Sequence, residues 1–290
     1  MAETSGEGEV LERLMRWAEQ HPLVRALVLE SSRAHGRAPL DMFSDYDVLL
    51  VVSDLRPFAD DAWLGAYGTP LVVFRGTNPV WDVETYSRLV LYEDRVKIDY
   101  MIWPVALLRT VVERQQLPDL LDWGYRALVD KDGLTSGLPA PTHTAHIPQR
   151  PSEQEYHALV EEFWWESTYV AKNLWRDQLM EAKYSFDVVM RHEVLLRMLE
   201  WRVEVDRDWS WKPGPVGRGL KQYLPPEAWA ELEKTWVGAG TEENWAALFA
   251  LTALFRRVAG EVGHALGYAY PHDLDRGVTA YLEKVRNLPR

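Results

Sequence analysis

Hydrophobic residues change their rhythm halfway along this chain. Before residue 131, short aliphatic and β-branched runs alternate with amphipathic segments; beyond 151, the long apolar patterns repeat at helical spacing. Between them, residues 131–151 (KDGLTSGLPAPTHTAHIPQRP) are rich in Pro, Gly and Thr and carry no periodicity, as a linker does. A chain of 290 residues is long enough for two cores. The expected fold class is therefore α+β. A domain with a mixed sheet flanked by helices occupies 1–135, a linker 136–151, and an all-α helical bundle 152–290. No internal repeat is visible.

Within the first half, Val10, Leu11, Leu14 and Trp17 share one face of a helix over 10–19, which His21-Pro22 ends. Residues 24–29 read as a strand. Tyr46–Val52 (YDVLLVV) is a continuous apolar run of the kind buried on both faces of a sheet. Asp60-Asp61 are placed to cap a short helix through 67, and 70–74 offers another strand. Residues 87–92 and 95–102 flank Glu93-Asp94 as a hairpin, followed by a helix over 105–116 and a short strand over 125–129. In the second half, Ser152 with Glu155 forms a capping box opening a helix to about 175. Further helices are expected over 177–203, 226–236, 242–266 and 274–285, with 212–219 as a loop.

Composition narrows the function. There is no cysteine, which excludes disulfides, thiol catalysis and thiolate metal sites. With 32 basic against 44 acidic residues the formal charge is −12, the wrong sign for gripping a nucleic-acid backbone and a better match for a cationic partner. No segment reaches the roughly 18 apolar residues needed to span a bilayer. The acidic N-terminus, MAETSGEGEVLERL, lacks a signal-peptide pattern, so a cytoplasmic protein without membrane or nucleic-acid partners is expected. Trp is over-represented at 14 residues, and these rings must pack somewhere.

The chemistry concentrates in two segments. Glu30-Ser31-Ser32-Arg33 leaves the first strand, and Ser44-Asp45-Tyr46-Asp47 enters the next. Strand alternation puts Asp45 and Asp47 on one face, about 7 Å apart. Two carboxylates so placed suit Mg²⁺, which favours a couple of carboxylates plus substrate phosphates. Asp99, in Val96-Lys97-Ile98-Asp99, supplies a third acid on the hairpin strand. Three acids converging in one sheet repel unless a divalent cation or a proton neutralises them. Ser32 could offer its hydroxyl and backbone N–H to a phosphate.

A Ser-Ser turn, a short loop, Asp-x-Asp and a later strand carboxylate resemble the polymerase-β nucleotidyltransferase superfamily. The closer resemblance is to the aminoglycoside 6-adenylyltransferases, also called streptomycin adenylyltransferases. It rests on Leu29-Glu30-Ser31-Ser32-Arg33, Phe43-Ser44-Asp45-Tyr46-Asp47, Asp61-Ala62-Trp63-Leu64 and Val96-Lys97-Ile98-Asp99. In the second half it rests on Glu162-Phe163-Trp164-Trp165, Val170-Ala171-Lys172, Arg191-His192-Glu193, Phe255-Arg256-Arg257-Val258 and Tyr268-Ala269-Tyr270-Pro271. It covers about residues 8–285. It implies a nucleotidyltransferase domain followed by a helical substrate-binding domain, with ATP as co-substrate and Mg²⁺ as cofactor. AMP would pass to a hydroxyl of an aminoglycoside, the 6-position of streptomycin above all. Asp45 and Asp47 would hold the metal, and Asp99 would be either a third metal ligand or the general base. Relatives usually carry Gly-Ser where this chain has Ser31-Ser32. Glycine there admits φ > 0 and close backbone approach, so Ser31 bears on nucleotide affinity.

Ser32 and Arg33 are candidates for the triphosphate, joined from the helical half by Lys172, Lys183 and Arg191. A basic residue on an amphipathic helix is more often a solvated one. A polycationic acceptor calls for acids and aromatic faces, and Glu162 with Glu166, and Trp165 with Tyr169, fall at helical spacing. The plainer reading makes the tryptophans core and the acids solvent-facing. Two rivals stay open: a nucleotidyltransferase with another small-molecule or protein acceptor, and a binding protein that sequesters a cationic ligand. His143-x-x-His146 has no third ligand for zinc. Gly214, Gly217 and Gly219 follow no strand, which argues against a phosphate loop.

Overall fold

The computed structural model describes residues 6–35 and 40–289, so the first five residues of the acidic N-terminus lie outside the described residues. Two compact units divide between Ala145 and His146. No helix of the described residues is long and apolar enough to cross a membrane.

The first unit is built on a six-stranded sheet of order β3-β4-β5-β2-β1-β6. Its strands are β1 (Val24–Glu30), β2 (Tyr46–Val52), β3 (Pro70–Thr77), β4 (Tyr86–Tyr92), β5 (Lys97–Pro104) and β6 (Tyr125–Asp130). β2 and β5 run parallel, whereas β1 with β2, β1 with β6, β3 with β4 and β4 with β5 are antiparallel. β2 sits at the centre, which is why its sequence is apolar on both faces. On one face Leu27, Leu29, Val48, Leu50, Ile98 and Tyr100 pack with α1 (Glu7–Gln20), through Val10, Leu14 and Ala18. On the other, Val28, Leu49, Val51 and Trp103 pack with α3 (Val105–Arg114) and α4 (Asp119–Asp122).

Local chemistry shifted three expectations. The turn after β1 is one and a half turns of helix, α2 (Ser31–His35). The segment behind Asp60-Asp61 is a 3-10 turn over Ala62–Ala66. Asp61 does not cap it, because its carboxylate is held by Arg75 and Arg88; Asp60 instead accepts the Ala62 N–H at 2.9 Å. Residues 131–145 form no regular element, yet they are strapped to the first unit. Asp130 accepts from the backbone of Leu134 and Thr135, and Asp122 from that of Thr142, Thr144 and Ala145. These donors outweigh burial and hold both carboxyls below their usual range.

The second unit is helical. α5 (Glu153–Trp175) starts at the expected capping box: Ser152 Oγ accepts the Glu155 N–H at 3.2 Å and the Glu155 carboxylate accepts the Ser152 N–H at 2.7 Å. The next helix is continuous in chain but not in geometry. α6 (Leu179–Lys183) widens into π-helix over Tyr184–Leu195 before α7 (Leu196–Val205). α8 (Leu220–Tyr223), α9 (Pro226–Glu233), α10 (Thr241–Leu266) and α11 (His272–Arg286) follow.

Phe163 on α5 stacks on Phe255 on α10 at the centre of this core. Tyr270 ties three helices together: it accepts from Trp164 Nε1 at 3.1 Å and donates to Asp275 at 3.0 Å, and Asp275 also takes Arg256. At Gly263 a Cβ would meet the Tyr156 hydroxyl at 2.6 Å and the Tyr268 carbonyl at 2.9 Å, so only glycine lets these segments close.

Candidate active site

Strand register assembles the acids. Asp47 on β2 stands directly opposite Asp99 on β5. One step towards the strand starts, Asp45 faces Lys97, so residues 45, 47, 97 and 99 form a square on one sheet face. On the other side of Asp47 the antiparallel partner is the last residue of β1, Glu30, one step beyond the Leu29–Val48 pair. This face is the one that α3 and α4 cover further along the strands. The square begins where that cover stops.

Four carboxyl groups in one patch set its electrostatics. Asp47 is mostly buried, and burial followed by the charges of Asp99 and Asp45 pushes it up to about 6. A hydrogen bond from Ser31 and the charge of Lys97 restrain the rise. Burial also raises Asp99, again against the pull of Lys97, and Asp99 Oδ1 is buried with no hydrogen-bond partner. Glu30 is fully buried, neither carboxyl oxygen has a hydrogen-bond partner, and its pKa lies well above the usual range because of burial and then Asp47. Burial there favours the neutral, protonated form of the carboxyl over the charged one.

Neutralisation comes from a source the sequence reading left out. The Lys97 ammonium donates to Asp45 Oδ2 at 2.5 Å and to Asp99 Oδ2 at 3.3 Å. Burial alone would lower its pKa, but these two carboxylates raise it. As they stand, no three His, Asp or Glu side chains of the described residues close around a metal position. The donor set is nevertheless one that a hard divalent cation accepts: oxygen ligands, excess negative charge, and a cation already seated among them.

The turn beside the square is specialised. Ser31 adopts φ 57°, the left-handed conformation for which glycine is the usual choice, and its hydroxyl is hydrogen-bonded to Asp47. Ser32 follows on α2, half-buried. Arg33 is used differently from the expected triphosphate contact. Its Nε and Nη2 donate to the carbonyls of Asp45 and Ser44 at 2.9 and 2.7 Å, and its Cζ lies 3.9 Å from the Tyr46 ring centre. It thereby fixes the chain that delivers Asp45. A cleft of about 390 Å³ opens next to the square, with Arg33, Arg95, Lys97, Tyr46, Met42 and Phe43 among its lining. Met42 and Phe43 are exposed.

In the second unit the candidates part company. Trp165 is 63% exposed, its ring centre lies 6.0 Å from that of Tyr169, and the Lys172 ammonium sits 4.0 Å over Tyr169. Glu162 is exposed and Glu166 half-buried on the same helix. Trp164, one residue before Trp165, is fully buried, because 100° of helical rotation separates the two rings. Arg191 and Lys183, expected at the phosphates, have partners within their own unit. Arg191 is 4% exposed, with Nε on Thr235 Oγ1 at 3.2 Å, Nη1 on Asp187 and Nη2 on the Thr235 carbonyl. Lys183 donates to the Val237 carbonyl at 3.2 Å and pairs with Asp187 at 2.9 Å. Both staple the π-helical stretch to the segment after α9.

Sequence reasoning missed Lys97 and Glu30. Lys97 was signalled by its spacing from Asp99, two residues along the same strand and hence on the same face. Glu30 was signalled only by ending a strand of otherwise apolar residues.

The family model for streptomycin adenylyltransferase matches residues 5–285. An aminoglycoside 6-adenylyltransferase of Bacillus subtilis (strain 168) is 30% identical over 284 residues, 96% of this chain and 97% of that protein. One from Campylobacter jejuni is 30% identical over 286 residues, 97% of this chain and 93% of that protein. A solved structure described as an aminoglycoside 6-adenyltransferase from Bacillus subtilis aligns over 98% of this chain and 100% of its own, at 26% identity and a TM-score of 0.48. Since the family model spans both units and these relatives are matched along almost their whole length, the chain belongs to the streptomycin adenylyltransferase family, a family of adenylyltransferase enzymes.

Proposed function

We propose that this protein transfers AMP from ATP to a hydroxyl of an aminoglycoside in a Mg²⁺-dependent reaction, with the 6-position of streptomycin as acceptor. One observation carries the reading: Asp47 and Asp99 stand side by side in register, with Asp45 on the same face, beside the left-handed turn at Ser31. Asp45 and Asp47 would hold the Mg²⁺, which when bound neutralises phosphate charge and polarises the α-phosphoryl group.

The protein's own share is positioning and proton transfer. The cleft beside the square offers the Arg95 and Lys97 charges and the exposed Phe43 ring to a nucleotide. Arg33 keeps Asp45 in place through the Ser44 and Asp45 carbonyls. Ser32, at the start of α2, presents its hydroxyl to the phosphates. Asp99, whose proton affinity burial raises, accepts the proton of the attacking hydroxyl, a role its position beside Asp47 suits. The acceptor oxygen bonds to the α-phosphorus as the α–β bridge breaks, and pyrophosphate leaves.

For the acceptor, Trp165 and Tyr169 form an aromatic face bordered by Glu162 and Glu166 on α5. The Lys172 ammonium over Tyr169 supports a preference of this face for cations. Streptomycin carries two guanidinium groups, which pair with carboxylates through parallel hydrogen bonds.

Mass spectrometry of streptomycin after incubation with the protein and Mg²⁺-ATP is the test. The expected product is streptomycin plus one AMP. AMP on another acceptor but not on streptomycin refutes the substrate; no transfer to any of a panel of aminoglycosides refutes the activity.

A further inference from the structure

We propose that Lys97 is a built-in counter-cation that holds the acidic square together until a divalent metal displaces it. The inference rests on the metal-binding reading above and adds a competitor from the chain itself. Residues 45, 47 and 99 bring three carboxylates to one sheet face, and Lys97 is the fourth corner of the same square. Its ammonium reaches Asp45 at 2.5 Å and Asp99 at 3.3 Å, whereas Asp99 Oδ1 has no hydrogen-bond partner.

Two features make the ammonium displaceable rather than structural. Its side chain is 40% exposed, and it lines the open cleft, so it has somewhere to go. A lysine stem is also flexible, and an ammonium is a point charge without a fixed fork geometry. Without such a cation the strand starts would carry mutually repelling acids whenever the protein is metal-free. With it, the square is pre-assembled, and metal binding becomes an exchange of one cation for another. Free metal therefore binds more weakly than the ligand set alone would dictate, because every binding event must first release the ammonium.

The test is direct binding of Mn²⁺, followed by electron paramagnetic resonance without nucleotide, to the full-length protein and to K97M, K97R and D47N. K97M is expected to bind Mn²⁺ about three- to fivefold more tightly than the unaltered chain, the size of effect expected when a competing cation of ordinary ion-pair strength is removed. K97R keeps the charge and is expected to stay within about twofold. In chelator, K97M should melt below the unaltered chain, and Mn²⁺ should close the gap. K97M protein that folds only with Mn²⁺ present supports the inference equally, and K97Q serves if K97M does not fold at all. Unchanged or weaker Mn²⁺ binding by a folded K97M or K97Q overturns it. Should D47N bind Mn²⁺ as well as the unaltered chain does, the metal reading itself fails, and that outcome is distinguishable from failure of Lys97 alone.

Discussion

Asp47, which we propose as a metal ligand, should when replaced by Asn leave this protein more stable in the absence of metal. Asp47 ionises near 3.8 in an unfolded chain and at about 6 in place. The folded state therefore binds the proton more tightly, so the stability it contributes is complete below about pH 3.8 and is lost as pH rises through about 6. At about 1.36 kcal/mol per pH unit, the loss by neutral pH is on the order of 3 kcal/mol. Asparagine matches aspartate in size, can still accept from Ser31, and cannot ionise. In chelator at pH 7.5, D47N should exceed the unaltered chain by about that amount, roughly 6–12 °C in the melting temperature of the first unit. Scanning calorimetry between pH 4 and 8 is the assay, and the two curves should converge below about pH 4. Saturating Mg²⁺ and ATP should reverse the order, because they bind the folded unaltered chain and not D47N. Parallel curves across the range would refute the argument, since Asp47 would then carry no folding-linked proton.

Other substitutions separate chemistry from packing. Ser31→Gly relieves about 1 kcal/mol of left-handed strain, while glycine's greater freedom in the unfolded chain takes back about 0.5–1 kcal/mol, so the melting temperature should barely move. Loss of the hydroxyl that restrains Asp47 should shift the acid limb of the pH–rate profile upward; a downward shift or none contradicts the Ser31–Asp47 bond. Arg191→Ala should cost the second unit about 2–3 kcal/mol, through the unpaired groups around Thr235, while KM for ATP stays within about twofold. A tenfold rise in KM for ATP in folded R191A would return Arg191 to the nucleotide site. Trp165→Ala, at a 63% exposed position, should leave stability within about 0.5 kcal/mol. The same change should raise KM for streptomycin about fivefold, the loss of one cation–aromatic contact, and leave KM for ATP unchanged.

The parts of this site that sequence made legible are those governed by local periodicity. Asp45 and Asp47 lie two apart on a strand, so their common face needs nothing beyond the pleat. The capping box at Ser152 and Glu155 is equally local, and it appears as written. What stayed hidden depends on which strands become neighbours. Lys97 lies beside Asp99 in any strand, but its bridge to Asp45 exists only because β2 and β5 pair in parallel at this register. Glu30 is buried because β1 lies between β2 and β6, which a list of residues does not reveal. The partners of Arg191 were hidden for a related reason. It is buried on a π-helical stretch packed on Thr235, whose turn is wider than the 3.6 residues on which sequence periodicity relies.

The parallel pairing of β2 with β5 also decides where this chain can change length. The two strands are neighbours in the sheet but lie some way apart in sequence, so β3, β4 and their loops fill the crossover between them. An insertion at the exposed Asp82, in the turn between β3 and β4, leaves Asp47 opposite Asp99, and that turn is a permissive port for a tag or an added recognition loop; 53–69 is not, because it carries the buried Phe58, Leu64 and Tyr67. One residue inserted within Asp45–Asp47 or Lys97–Asp99 turns a corner of the square to the opposite face, where Tyr46 and Tyr100 pack. An insertion scan of the first unit should therefore separate the turns that accept added residues from the strand starts whose register holds the square.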